Sequence, residues 1–175
     1  ASLVWPTGLD ATGNFIISVT TDTLMQVEEY QTIEAETDNT ASITVTAGPD
    51  IIVKDIRVDN THYQAGDKVT LSWTESNQGN MPVPANYQSR VTVRQKNEDG
   101  SLGQAIVDTS LVFNDNQLSV NESKNRQFSF SLPEGLKGSG NFVVSITADS
   151  TVTGAGIIFE VNASNTAETN NTQTL

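Results

Sequence analysis

The sequence contains no cysteine and a single histidine, His62. Disulfides, Cys-containing zinc sites and thiol nucleophiles are excluded, and any Ser-His catalysis must run through His62. Basic residues are scarce: 9 Lys and Arg stand against 21 Asp and Glu, a net charge of −12 at pH 7. Nucleic acid and anionic membrane surfaces are disfavoured, because binding them needs clustered Lys and Arg. No apolar run approaches the roughly 18 residues of a membrane helix, and no basic segment followed by an apolar one opens the chain. Aromatics amount to 6% and charged residues to 17%, below the usual ~25%, with Thr, Ser and Asn in their place. Apolar residues at helical spacing over three turns are missing as well. What remains is the composition of a turn-rich β protein. Its 175 residues suit about one domain and part of a second.

Period-2 alternation is present along most of the chain. Val69, Leu71 and Trp73 alternate with Thr70 and Ser72, Val91 and Val93 with Thr92, and Phe128, Phe130 and Leu132 with Ser129 and Ser131. Phe142, Val144 and Ile146 follow the same rule. Such runs put one face in a core and the other in water. Turn signals separate them, Asp99-Gly100 being the strongest because both residues tolerate positive φ. The spacing predicts strands at 51–58, 68–77, 88–95, 104–113, 125–132, 141–148 and 157–161, with a last one opening near Thr172. The expected fold is all-β, an immunoglobulin-like antiparallel two-sheet sandwich. Trp73, Phe128, Phe130, Phe142, Val144 and Ile146 are its expected core.

An internal repeat organises the chain. Residues 6–22 match 133–149 without a gap, at an offset of 127 from Pro6 to Pro133. Residues 35–40 match 167–172 at an offset of 132, so the second copy carries extra residues, most simply in the loop around 151–156. A period near 130 is one whole sandwich, far longer than a solenoid unit of roughly 20–50 residues. Residues 1–45 read as the C-terminal part of an upstream repeat, 46–50 as a Gly-Pro linker and 51–175 as a near-complete repeat. Opening on Ala1 rather than Met, the chain is expected to be a piece of a longer tandem array.

The stretch Pro49 to Val58, then Ala65-Gly66-Asp67-Lys68-Val69-Thr70-Leu71-Ser72-Trp73, then Asn77-Gln78-Gly79, resembles the start of a CARDB domain. The resemblance continues through Leu132-Pro133-Glu134-Gly135-Leu136 and closes in Glu168-Thr169-Asn170-Asn171. It covers residues 49–175, and residues 1–45 resemble the C-terminal third of that family. What it implies is an immunoglobulin-like sandwich of large bacterial and archaeal surface proteins, serving cell adhesion, without catalytic residues.

Few residues invite chemistry. His62 lies between two strands, where a solvated turn is the plain reading, and Glu28-Glu29 and Glu98-Asp99 lie in or beside turns. Calcium is the stronger proposal, since hard oxygen ligands suit it and a junction of extracellular repeats is a place for it to stiffen a hinge. The candidate ligands are Asp38, Asn39, Asp50, Asp115, Glu168 and Asn170. Lys54 shares parity with Ile52, Ile56 and Val58, the placement an internal Lys–Asn cross-link would need. Trp5, Tyr30, Tyr63 and Tyr87 are the aromatics available for stacking on a sugar. The expected role is a non-catalytic extracellular module, adhesive or spacing, with neighbouring repeats and other copies of the chain as partners. The alternative is a subunit of a filament or surface layer assembled by strand pairing. Residues 1–45 bear on that choice: cut from the first half of its repeat, their apolar face is expected to need strands from a neighbouring chain.

Overall fold

Val69, Leu71, Trp73 and Glu75 share one parity of the strand Lys68–Asn77, and all four are buried. Alternation has become two faces there, as it has along most of the chain. In this computed structural model the described residues are 2–6, 11–24, 26, 27 and 39–175. Their strands are β1 (Gly13–Thr20), β2 (Thr40–Ala47), β3 (Ile51–Val58), β4 (Lys68–Asn77), β5 (Gln88–Lys96) and β6 (Leu102–Val112). β7 (Ser123–Ser131), β8 (Asn141–Thr147), β9 (Ser150–Thr151), β10 (Gly154–Ala155) and β11 (Thr172–Thr174) complete them. A three-stranded sheet, β3-β4-β7, faces a four-stranded one, β11-β8-β5-β6, and all ladders are antiparallel. This is an immunoglobulin-like sandwich.

Ile51, Val53, Ile56, Leu71 and Trp73 from one sheet meet Val91, Val93, Val144 and Ile146 from the other in one core. Trp73, Val144 and Ile146 are buried as expected, while Phe128, Phe130 and Phe142 are half-buried and pack against the core from its margin. Phe128 and Phe130 sit on β7, an edge strand, and their rings stack on each other with centroids 6.1 Å apart.

Two expectations are corrected. Lys54 does not face inward. A β-bulge between Lys54 and Arg57, with Asp55 at φ 58°, shifts the parity of β3, so Ile51 and Val53 point in before it and Ile56 after it. No strand forms at 157–161: Ile157 and Phe159 are exposed and Glu160 is buried, the reverse of the expected pattern. That segment is held instead by carboxylates, as described below. In the first copy the sequence also predicts a strand at 25–30, which falls mostly outside the described residues; Gln26 and Val27 are not in a strand.

β1 and β2 form a two-stranded sheet of their own. Its register repeats that of β8 and β11: Thr20 pairs with Thr40 as Thr147 pairs with Thr172. Both threonine pairs share a hydroxyl hydrogen bond, at 2.9 and 2.8 Å. Thr21 N–H donates to Asn39 O as Ala148 N–H donates to Asn171 O, both at 3.0 Å. Asp22 and Asp149 follow at φ 43° and 44°, and each carboxylate accepts two backbone N–H groups downstream. The donors are Gln26 and Val27 in the first copy but Ile157 and Ile158 in the second. The β9–β10 hairpin lies within that longer interval.

Candidate functional site

Two clusters of polar side chains are buried in this fold; sequence reasoning missed the first and touched the second through Asp50, Glu168 and Asn170. In the sandwich interior, Glu75 Oε1 accepts from Trp73 Nε1 at 2.9 Å and from Ser89 Oγ at 2.6 Å. Its Oε2 accepts from Tyr87 OH at 2.7 Å and from Arg126 Nε at 2.9 Å. Arg126 also donates to Asp115 Oδ2 at 2.5 Å and lies 4.1 Å over the Phe113 ring. Burial works against the Arg126 charge, yet the bonds to Asp115, Tyr87 and Glu75 outweigh it and hold its pKa above the ordinary guanidinium value. Burial first, then the Glu75 charge, pushes the Tyr87 phenol up. The group ties β4 and β7 of one sheet to β5 of the other, with each carboxylate oxygen of Glu75 doubly satisfied. Its signal was in the parity: Glu75 continues Val69-Leu71-Trp73, and Arg126 precedes Phe128 and Phe130. Tyr87, expected as an exposed stacking residue, is buried here. Trp5 is half-buried, edge-on to Phe15 at 4.9 Å, and Tyr63 donates to Asp59 at 2.5 Å. Tyr30 lies outside the described residues.

The second cluster surrounds the turn from β2 into β3. Ala47, Gly48, Pro49 and Asp50 are all buried, although a linker between repeats was expected there, and β2 runs through Ala47. Gly79 makes this possible: a Cβ on it would lie 2.3 Å from Gly48 O and 2.6 Å from Asp50 N, so the turn rests directly on its backbone. Asn80 brackets the turn, accepting from Gly48 N–H at 2.9 Å and donating to Thr46 O at 2.7 Å. Asn77 Oδ1 accepts from Asp50 N–H at 3.2 Å, and Val161 N–H donates to Pro49 O at 3.1 Å. Asp50 in turn accepts from Asn162 Nδ2 at 3.1 Å and Asn170 Nδ2 at 2.9 Å.

Of the expected calcium ligands, Asp50 and Asn170 therefore meet, and Glu168 lies close by, accepting from Glu160 N–H at 2.7 Å. Asp115 does not join them; its carboxylate is committed to Arg126 and Lys124, whose charges hold its pKa down against partial burial. Asn39 holds Thr21 in the first copy, and Asp38 lies outside the described residues. Among the described residues no group of three or more His, Asp or Glu is arranged to hold a metal ion. His62 is exposed, its Nδ1 beside Thr61 Oγ1 at 3.0 Å.

Behind Asp50 lie the most perturbed acids. Glu160 accepts from Ile51 N–H and from Asn171 Nδ2, pinning the start of β3 to the segment before β11. Burial pushes its pKa up to about 8 despite those bonds, with the charges of Asp149 and Glu168 adding to the rise. Asp149 is raised for the same first reason, burial, and Glu168 adds to it. A Cβ on Gly156 would fall on the Asp149 carboxylate, so glycine there lets the loop close over it. Asn170 Oδ1 and Asn171 Oδ1 are buried and accept from no group among the described residues.

No family model matches the sequence, and no curated protein matches it. Solved structures do. The chain is similar to a CARDB domain. That domain, from Pyrococcus furiosus and crystallised in complex with di-metal ions, is 19% identical with a TM-score of 0.46, over 74% of this chain and 92% of its own. The solution structure of the same CARDB domain aligns at 20% identity and TM-score 0.44, over 74% and 93%. The sporulation control protein of Bacillus subtilis aligns at 17% identity and TM-score 0.39, over 57% of this chain and 43% of that protein. Among the described residues no helix is long and apolar enough to cross a membrane.

Proposed function

We propose that this chain is a non-catalytic repeat module of an extracellular prokaryotic surface protein, adhesive or spacing in role, and that its working part is the junction between repeats. The observation that carries this reading is the buried turn at 47–50, held on Gly79 and bracketed by Asn80, Asn77, Asn162 and Asn170. A flexible tether would leave that backbone in water. A turn whose polar groups are bonded to the following sandwich transmits orientation from one repeat to the next, as a rod requires. The acidic surface, with a net charge of −12, keeps a long array dispersed. Any calcium would act by tightening the Asp50, Glu168 and Asn170 region, and would then raise the melting temperature by binding the folded form.

The test is backbone 15N relaxation of the chain. β1–β2 and the sandwich should tumble as one body, and Asn80→Ala should release β1–β2 into faster independent motion. Independent tumbling in the unmodified chain would overturn the rod reading. A melting temperature unchanged between millimolar calcium and chelator removes the metal.

A further inference from the structure

β3 is an outer strand of the three-stranded sheet and β11 of the four-stranded one, and among the described residues no ladder joins them. Side chains do. Glu160 accepts from Ile51 N–H, at the start of β3, and, at 2.7 Å, from Asn171 Nδ2 just before β11. Further along, Gln173 Oε1 on β11 accepts from Ile56 N–H on β3 at 3.4 Å. Asn171 thus lies by Ile51 and Gln173 by Ile56, so the two strands run side by side in the same direction. The chain enters the sandwich at one end, by Ile51, and runs toward the other at Leu175, which bonds Val144.

Tension along the chain would pull β3 and β11 along their axes in opposite senses. Ladder hydrogen bonds lie across the strands, so such a pull loads them together, whereas a pull at one end of a strand pair opens them singly. The β3–β4 and β11–β8 ladders are both loaded in the first way. From this geometry we infer that the second copy is a tension-bearing module, and that Glu160, bonded to Ile51 N–H and Asn171, is the clamp coupling its first strand to its last. Glu160 and Asn171 are 2% and 5% exposed, so water does not compete for their bonds. The inference rests on the reading of the chain as a module of an array, since only a chain held at both ends carries tension. It does not need a stiff junction: relaxation reports how neighbours tumble, force reports one sandwich, and each can fail without the other.

Single-molecule force spectroscopy of the 175-residue chain is the test, and the lack of native cysteine lets two introduced ones serve as the only handles. Thr44→Cys with Leu175→Cys, both at exposed positions, loads β3 against β11. Glu98→Cys with Leu175→Cys puts both handles at the end where Lys96 pairs with Asn141, and peels β11 from β8. At equal loading rate the first pair should unfold at about twice the force of the second or more. Glu160→Ala should speed unfolding at constant force by about tenfold or more in the first geometry, and change the second by less than about twofold. Asn171→Ala, which keeps Glu160 on Ile51 and decides the matter should Glu160→Ala not fold, should speed unfolding in the first geometry alone. Equal forces in the two geometries, or variant effects that are alike in both or absent from the first, would overturn the inference.

Discussion

β1–β2 and β8–β11 are the same local structure in two settings. Registers, threonine pairs, the Asn backbone contact and the left-handed Asp after the strand all recur. Burial does not. Ile146 and Val144 lie under the opposing sheet, while Val19 and Ile43 stand in solvent. Strand pairing and turn geometry are thus encoded within about forty residues, but the stabilisation from apolar burial, roughly 25 cal/mol per Å², depends on a second layer. Cross-strand hydroxyl pairs and the Asp22 carboxylate, which accepts from Gln26 N–H and Val27 N–H, hold the shape of the hairpin without it.

Mutations sharpen the contrast. The largest effect belongs to a feature found only where both sheets are present. Arg126→Ala leaves the buried Glu75 side chain short of a partner and should cost about 3–5 kcal/mol in denaturant unfolding. Next come matched truncations. Ile146→Ala should cost about 2–5 kcal/mol, whereas Val19→Ala, its counterpart, should stay within about 0.5 kcal/mol. Equal costs would mean that the β1 face is covered in solution. Smaller again is the Asp pair: Asp149→Ala strips a buried acceptor from Ile157 and Ile158 and should cost about 1–3 kcal/mol. Asp22→Ala, in the exposed copy, should cost less than half as much by the same measurement.

A pH dependence is expected of the second copy as well. Glu160 has its pKa raised from 4.5 to about 8, so the folded form holds the proton more tightly than the unfolded chain. Its contribution is fully present below about 4.5 and is lost as pH rises through about 8. Melting temperature should therefore fall across that window, and Glu160→Gln should flatten the fall. A wild-type melting temperature that rises from pH 5 to pH 8 would contradict the burial of Glu160 as an unpaired acid.

The strands that alternate strictly were legible from sequence almost to the residue, because period-2 patterning and β burial are the same fact. β4 begins and ends where the pattern does, and β8 does so within a residue. The repeat was legible too, although the β1–β2 register comes from the structure alone. Patterning misled at Lys54, where one extra residue at the bulge reverses the faces, and at 157–161, where an apolar run is fastened by Asp149 and Glu160 rather than by a ladder. The buried acids escaped notice for a different reason. Glu75 and Arg126 obey the alternation, but a charge on an inner parity has meaning only once its partners on other strands are known. Asn80 and Gly79 resemble ordinary turn residues, and only the chain laid across them turns a short Gly-Pro break into a buried joint.

Native-state hydrogen exchange tests the central claim most directly, since it reads both copies in one sample. The amides of Val144 and Ile146 should exchange only through global unfolding, with protection equal to the stability of the sandwich. Those of Ile17 and Val19 should exchange through local opening of β1–β2, with protection lower by about two orders of magnitude or more. Equal protection in β1 and β8 would contradict the account, for the first copy would then have a second layer in solution.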